Sequence, residues 1–117
     1  MSDPLYDALR RWFGFRTFRP GQERVVRALL EGRDALVVMP TGSGKSLCFQ
    51  LPALMMPGTT IVVSPLIALM KDQVDALAAR RIPATFLNSS LSKDEIAHRL
   101  TCLRMGNYKL VYSDWGA

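Results

Sequence analysis

Apolar residues near the start of the chain recur at the spacing of an amphipathic helix. Pro4 stands in the first turn, where proline is favoured, and Gly14 ends the pattern. A second pattern of the same kind opens at Pro20 and ends at Gly32. We therefore predict two amino-terminal helices. Their apolar faces are Leu5, Leu9, Trp12 and Phe13 in the first helix and Val25, Val26, Leu29 and Leu30 in the second.

Beyond residue 34 the pattern changes, and short apolar or β-branched runs alternate with helical segments. Such runs are typical of strands buried on both faces. Because no hairpin signal separates them, we expect a mainly parallel sheet with flanking helices, in an α/β fold. The predicted strands are residues 35–39, Thr60–Val63, Ala84–Leu87 and 109–112. The predicted helices start near Lys45, at Ser64 and Pro65, and at a capping box formed by Ser92 and Glu95.

Composition and charge narrow the class of protein. The chain has 117 residues, 49% hydrophobic and 21% charged, which excludes intrinsic disorder, collagen and a disulfide-stapled miniprotein. Fifteen Lys and Arg against ten Asp and Glu give a net charge of +5, which is compatible with a polyanionic partner. With neither a long apolar run nor a signal-peptide core, we expect a cytoplasmic protein, nucleoid-associated in a bacterium or nuclear in a eukaryote. Cys48 and Cys102 fit no metal-binding spacing and are expected to be reduced thiols.

The strongest chemical signal is the glycine-rich turn Met-Pro-Thr-Gly-Ser-Gly-Lys-Ser at residues 39–46. Glycines let backbone amides converge on an anion, and a helix start directs its free amides and dipole at the charge. A lysine can then reach the outer phosphates, and a hydroxyl can bind the magnesium ion. We therefore predict a phosphate-binding loop for ATP and Mg²⁺. Its residues are Thr41, Gly42, Ser43, Gly44, Lys45 and Ser46, with Lys45 as the catalytic cation and Ser46 as the magnesium ligand.

The loop departs from the general phosphate-loop pattern at one position. That pattern has a glycine where this chain has Met39. The variant with Met39-Pro40-Thr41 in front resembles the loop of superfamily-two helicases.

Three further segments narrow this resemblance, namely FRPGQ at 18–22, SLCFQLP at 46–52 and SPLIALMKDQV at 64–74. Together they closely resemble the first RecA-like lobe of the RecQ family of ATP-dependent DNA helicases, over residues 9–112. RNA helicases of the DEAD-box group instead have a Pro-Thr pair and an Ile-Gln in the adenine motif, and this chain has neither. DNA is therefore the expected nucleic-acid partner.

The resemblance implies that residues 18–22 form an adenine-reading motif. The amide of Gln22 can donate to N7 and accept from the N6 amine of adenine. Arg19 is implied to help hold the base, and Phe15 falls where the family stacks an aromatic ring on it. The alternative is that Phe15 and Phe18 pack between the first two helices.

The resemblance also implies a border of the single-stranded DNA path after the second predicted strand. The expected DNA-binding residues are Ser64, Pro65 and Lys71, because a helix start and a nearby cation can meet a phosphate. The alternative is a capped amphipathic helix with a solvated Lys71.

The chain departs from the RecQ pattern after Tyr112. The family continues into a proline-glutamate-arginine turn and then an acidic motif that holds magnesium, whereas this sequence reads Ser-Asp-Trp-Gly-Ala. We expect residues 1–33 to supply the helices with the adenine-reading motif, and residues 34–117 the first part of the RecA-like domain. The resemblance implies a helicase that couples ATP hydrolysis to translocation on and unwinding of DNA, although this chain alone is expected to be inactive. The alternatives are a nucleotide-binding fragment without turnover and a different P-loop translocase.

Overall fold

The computed structural model describes residues 3–39 and 44–114. The chain divides into two compact units between Pro57 and Gly58. No helix in the described part of the chain is both long and apolar enough to cross a membrane.

The unit that ends at Pro57 is built from helices. Helix α1 is Pro4–Ala8 and continues as one π-helical segment, Leu9–Phe13. Helix α2 is Gln22–Leu30 and helix α3 is Leu47–Met55. The two predicted amino-terminal helices are therefore confirmed.

Local signals set the ends of these helices. Asp3 caps α1 by accepting a hydrogen bond from the backbone N–H of Leu5, and Gly14 ends the π-helical segment with φ of 74°. Helix α2 begins two residues later than predicted, because Gly21 takes φ of 87° and stands at the N-cap in place of a helical residue.

The core of this unit lies where α2 and α1 pack against α3. Apart from Gln50, helix α3 consists of apolar residues and Cys48, and most of its residues are buried, as expected for a central helix. The fully buried side chains around it include Leu5, Leu9, Val26 and Leu51. Trp12, predicted for the same apolar face, is only half-buried, and the guanidinium of Arg11 lies 5.0 Å from the centre of its ring.

The predicted strand at residues 35–39 is wrong. This segment has no regular secondary structure, and Leu36 and Val38 are 94% and 90% exposed. A strand exists only where a neighbouring backbone completes its hydrogen bonds, and the strands among the described residues pair with one another instead. An apolar run therefore signals a strand only when a partner strand is available.

The unit that begins at Gly58 contains a parallel three-stranded sheet. Its strands are β1 (Thr60–Val63), β2 (Ala84–Leu87) and β3 (Leu110–Ser113), in the order β1-β3-β2. Both pairings are parallel, with Thr60 and Ala84 each opposite Leu110. The predictions for β1 and β2 match the structure residue for residue, and β3 lies one residue later than predicted. Because β3 is central, Leu110, Val111 and Tyr112 are all buried.

Two helices flank this sheet, α4 (Ile67–Ala79) and α5 (Lys93–Arg104). The predicted capping box of α5 is confirmed, since Ser92 and Glu95 satisfy each other's backbone N–H groups at 3.1 Å. Helix α4 begins at Ile67 and not at Pro65, because the hydroxyl of Ser64 accepts from the backbone N–H of Leu66 in a turn ahead of the helix.

Met70 and Leu77 anchor α4 in the core of this unit. Arg99 holds α5 to β2, since its guanidinium donates to the carbonyl oxygen of Phe86 at 2.7 Å and lies 4.6 Å from the centre of the Phe86 ring. Both cysteines are free thiols, and burial raises the pKa of the Cys48 thiol.

Candidate nucleotide-binding site

Gln22 lies in the first turn of α2 and is only 3% exposed. Its Oε1 accepts a hydrogen bond from the backbone N–H of Arg19 at 2.8 Å. Its Nε2 donates to the carbonyl oxygen of Gly44 at 2.9 Å. One side-chain amide therefore joins the predicted adenine-reading motif to the predicted phosphate loop.

These two partners determine the orientation of the Gln22 amide. The backbone N–H of Arg19 can only donate and the carbonyl of Gly44 can only accept, so the oxygen faces Arg19 and the nitrogen faces Gly44. After these bonds Oε1 retains one lone pair and Nε2 retains one hydrogen. Such an acceptor and donor pair is complementary to the N6 and N7 edge of adenine.

Two glycines allow the close approach on which this arrangement depends. Gly44 has φ of +81°, and a Cβ atom there would overlap Nε2 of Gln22. Gly21 has φ of +87°, and a Cβ atom there would lie 3.4 Å from Cε of Met39. Glycine is the residue that adopts this left-handed backbone without strain. Met39 and Gly44 therefore both approach the start of α2.

Arg19 belongs to the same group of residues. Its Cδ would lie 3.7 Å from a Cβ atom on Gly44, and its side chain reaches the surface. Phe15, in the loop before α2, is 47% exposed. Phe18 is half-buried and packs edge-on against Tyr6, which agrees with the packing alternative for Phe18. The structure thus brings Arg19 and Gln22 to Gly44 and leaves much of the Phe15 ring at the surface.

Lys45 and Ser46 come immediately before α3. Lys45 is exposed and forms no ion pair within residues 3–39 and 44–114. Ser46 is the N-cap residue of α3, and its hydroxyl makes no capping hydrogen bond to the described backbone. The other predicted loop residues, Thr41, Gly42 and Ser43, lie outside the described residues.

A cavity of about 750 Å³ lies between α2 and the extended segment at residues 35–39. Arg19, Gly21 and Met39 are in its wall. The volume is in the range of small-molecule pockets, and the wall is mainly apolar, with Arg19 and Arg24 as its charged members. The cavity therefore borders the predicted adenine-reading motif at Arg19, Pro20 and Gly21.

Sequence reasoning missed the contacts of Tyr6 and Glu23. The Tyr6 hydroxyl donates to Oε1 of Glu23 at 2.5 Å, and Nε of Arg27 donates to Oε2 at 2.9 Å. These two bonds lower the pKa of Glu23, and the Glu23 carboxylate in turn raises the pKa of Tyr6. Tyr6 and Glu23 are 17 residues apart, so no local pattern could have paired them.

The predicted DNA-binding residues lie around the start of α4. Ser64 and Pro65 directly follow β1, and the Ser64 hydroxyl accepts from the backbone N–H of Leu66 at 3.1 Å. The Lys71 ammonium group donates to the Asp75 carboxylate at 2.7 Å, and this bond raises the pKa of Lys71. Both members of the pair are exposed, so the attraction between them is weak in water.

The sequence profile of the DEAD/DEAH box helicases matches residues 19–115. The chain belongs to the DEAD/DEAH box helicase family. The match includes residues 19–22 of the predicted adenine-reading motif, the predicted phosphate loop and the three-stranded sheet described above.

Relatives within the family carry the name RecQ. The chain is 53% identical over 105 residues to ATP-dependent DNA helicase RecQ of Bacillus subtilis, covering 89% of this chain and 18% of the relative. It is 55% identical over 104 residues to ATP-dependent DNA helicase RecQ of Haemophilus influenzae, covering 89% of this chain and 17% of the relative. The resemblance to RecQ helicases is confirmed. The chain spans less than a fifth of the length of these two relatives.

The fold of this chain has a counterpart among solved structures. A hypothetical ATP-dependent RNA helicase from Sulfolobus tokodaii matches with a TM-score of 0.74 at 21% sequence identity. The match covers 99% of this chain and 34% of the other. The α/β fold with a parallel sheet and flanking helices is thereby confirmed.

Proposed function

We propose that this chain is the ATP-binding part of a RecQ-like DNA helicase, in which ATP hydrolysis drives translocation along DNA and strand separation. The observation that carries the proposal is the Gln22 amide, which binds the backbones of Arg19 and Gly44 together. A group that recognises the base and a loop that holds the phosphates must keep a set separation, and this amide links them directly. Residues 1–33 would supply the adenine-reading motif, and residues 34–117 the first part of the RecA-like domain.

The described part of the phosphate loop fits ATP with Mg²⁺. Gly44 has the left-handed backbone and lacks the Cβ atom that would overlap Nε2 of Gln22. Lys45 would hold the outer phosphates, and the Ser46 hydroxyl, which is not used as a cap, would bind magnesium. The backbone amides of Thr41, Gly42 and Ser43 would complete the anion site. Bound magnesium would neutralise charge that develops on the phosphates.

Adenine selection is the proposed role of Gln22, Arg19 and Phe15. The remaining lone pair and hydrogen of the Gln22 amide suit the N6 and N7 edge of adenine but not the corresponding edge of guanine, which presents two acceptors. The exposed part of the Phe15 ring and the Arg19 guanidinium offer planar surfaces for the base.

DNA is the proposed polymer substrate, and Ser64, Pro65 and Lys71 are its proposed contacts in this chain. Ser64 and Pro65 lie at the carboxyl end of a parallel strand, where ligands of open α/β sheets bind. Lys71 would exchange its exposed partner Asp75 for a phosphate, which costs little because that pair is solvated. The names of the RecQ relatives support DNA over RNA.

A nucleotide-binding measurement on the 117-residue chain tests the proposal. Lys45→Ala is expected to weaken ATP at least about tenfold, since a hydrogen bond to a charged group contributes about 1.5–3 kcal/mol. Affinity is measured by displacement of a fluorescent ATP analogue in magnesium buffer. The matched control is Lys93→Ala, which removes the same charge from an exposed position on α5.

Equal ATP affinity in wild type and Lys45→Ala would overturn the proposed phosphate loop, and wild-type binding of GTP as tight as that of ATP would overturn the proposed adenine selection. A phosphate-release assay on the same samples addresses turnover. We expect none above the Lys45→Ala background, and release that depends on Lys45 would show that the chain hydrolyses ATP by itself.

A further inference from the structure

Tyr6 makes two different contacts with the segment that carries Arg19 and Gln22. Its ring packs against that of Phe18 in a T-shaped pair, with ring centres 5.3 Å apart and planes at 74°. Its hydroxyl donates to Oε1 of Glu23 at 2.5 Å. Phe18 and Glu23 are the residues directly outside Arg19 and Gln22 in sequence. One side chain of α1 therefore holds the segment at both ends.

Glu23 is itself fixed by further partners. Nε of Arg27 binds its other carboxylate oxygen at 2.9 Å, and the second guanidinium edge of Arg27 binds Asp3 at 2.7 Å. Asp3 also caps α1 through the backbone N–H of Leu5. The chain of contacts from Asp3 through Arg27 and Glu23 to Tyr6 joins the start of α1 to α2 and restricts where the Tyr6 hydroxyl can lie.

The segment between Phe18 and Glu23 needs such an anchor. It contains Gly21 at a left-handed φ of 87°, and glycine has more accessible backbone conformations than other residues because it lacks a Cβ atom. A cavity of about 520 Å³ lies beside it, with Tyr6, Phe18 and Glu23 in the wall, so close packing does not hold the segment on that side. A small displacement would separate the Arg19 N–H from Oε1 of Gln22.

We propose that Tyr6 is a positioning residue for adenine binding, acting through Phe18 and Glu23 without touching the nucleotide. This inference rests on the proposed ATP-binding function. Tyr6 holds the segment in the conformation in which the Gln22 amide is already oriented for hydrogen bonding to adenine. Such preorganisation reduces the entropy lost when the base binds. The phosphates lie at the other end of the nucleotide, so their binding does not depend on Tyr6.

The test compares ATP with inorganic triphosphate, which lacks the base and the ribose. Tyr6→Phe keeps the ring against Phe18 and removes only the hydroxyl, and it is expected to weaken ATP about three- to tenfold while leaving triphosphate affinity unchanged. Tyr6→Leu removes the aromatic contact as well and should weaken ATP further. Tyr108→Phe, the same chemical change in the other unit, should alter neither affinity.

The ratio of ATP to triphosphate affinity separates positioning from a purely structural role, because general destabilisation would weaken both ligands alike. An unchanged ratio in Tyr6→Phe would overturn the inference, even if Tyr6→Leu fails to fold. Failure of the proposed function gives a different result. Wild type would then bind ATP no better than GTP, and Lys45→Ala would bind ATP as tightly as wild type.

Discussion

The unit that ends at Pro57 and the unit that begins at Gly58 are stabilised by different kinds of interaction. In the second, backbone hydrogen bonds run along three parallel strands, and the central strand buries Leu110, Val111 and Tyr112. In the first, the described residues form helices without any strand, and the candidate site depends on side-chain bonds to backbone such as those of Gln22.

This difference determines how each unit should respond to substitution. A strand ladder shares its stabilisation among many backbone groups, so a surface change in the sheet unit has little effect on geometry. At the candidate nucleotide site, one amide joins two segments, and losing it removes the part-buried bonds to the Gly44 carbonyl and the Arg19 N–H together. Substitutions in the sheet unit should therefore lower its stability by amounts that depend on the burial of each residue. At the candidate nucleotide site, a single substitution should be enough to lower ATP affinity.

The largest effect is expected from two leucine substitutions that differ only in their environment. Leu110→Ala, at a fully buried position in β3, should lower the free energy of unfolding by about 2–5 kcal/mol. Leu36→Ala, at a position that is 94% exposed, should change it by no more than about 0.5 kcal/mol. Urea unfolding followed by circular dichroism measures both. A comparable loss in the two variants would mean that residues 35–39 are buried in solution and that the strand prediction was correct.

Gly44→Ala tests the contact between Gly44 and Gln22 at the candidate nucleotide site. A Cβ atom there would displace Nε2 of Gln22, so we expect ATP affinity to fall about tenfold. Gly32→Ala is the matched control, because Gly32 has φ of +82° in the same unit and no atom within 4 Å of an added Cβ.

Both glycine variants should lose about 1 kcal/mol of stability from the left-handed backbone. Only Gly44→Ala should lose nucleotide affinity. If Gly32→Ala weakened ATP as much, the effect would come from the stability of the unit and not from Gln22.

The smallest effect is expected at the capping box of α5. Ser92→Ala removes the side-chain acceptor for the Glu95 backbone N–H and should cost about 1 kcal/mol of stability. Ser89→Ala, at an exposed position before the cap, is the control and should cost less than about 0.5 kcal/mol. Thermal unfolding compares the two, and equal shifts would contradict a role for the box.

The stability that the capping box contributes should also depend on pH. Hydrogen bonds from the backbone and side chain of Ser92 lower the pKa of Glu95 below its ordinary value of 4.5. The folded state thus binds this proton less readily than the unfolded state, so the stabilisation is complete above about pH 4.5 and is lost as the pH falls through the folded pKa. Wild type and Glu95→Ala should converge in stability at low pH, and a constant difference would contradict this assignment.

The features that the sequence predicted correctly have causes within a few residues. The β-branched run Thr60–Val63 matched β1, the short run Ala84–Leu87 matched β2, and the Ser92 and Glu95 box and the Gly14 helix end were confirmed. The order of helices and strands indicated a parallel sheet, because a helix stands between each strand and the next and can return the chain. The motif Gly-Ser-Gly-Lys-Ser and its surroundings also indicated the helicase family, because these residues are contiguous in the sequence and can be compared directly with a family pattern.

The tertiary structure alone decided which distant groups meet. Residues 35–39 have the composition of a strand, but a strand needs a partner backbone, and the three strands of the second unit pair among themselves. Gln22 and Gly44 are 22 residues apart, and Tyr6 and Glu23 are 17 apart. Local pattern carries information about backbone conformation because neighbouring residues share dihedral and capping preferences. Contact between distant side chains depends on how helices pack. The adenine-reading motif could therefore be predicted from the sequence, whereas the bond from Gln22 to Gly44 and the contacts of Tyr6 with Phe18 and Glu23 could not.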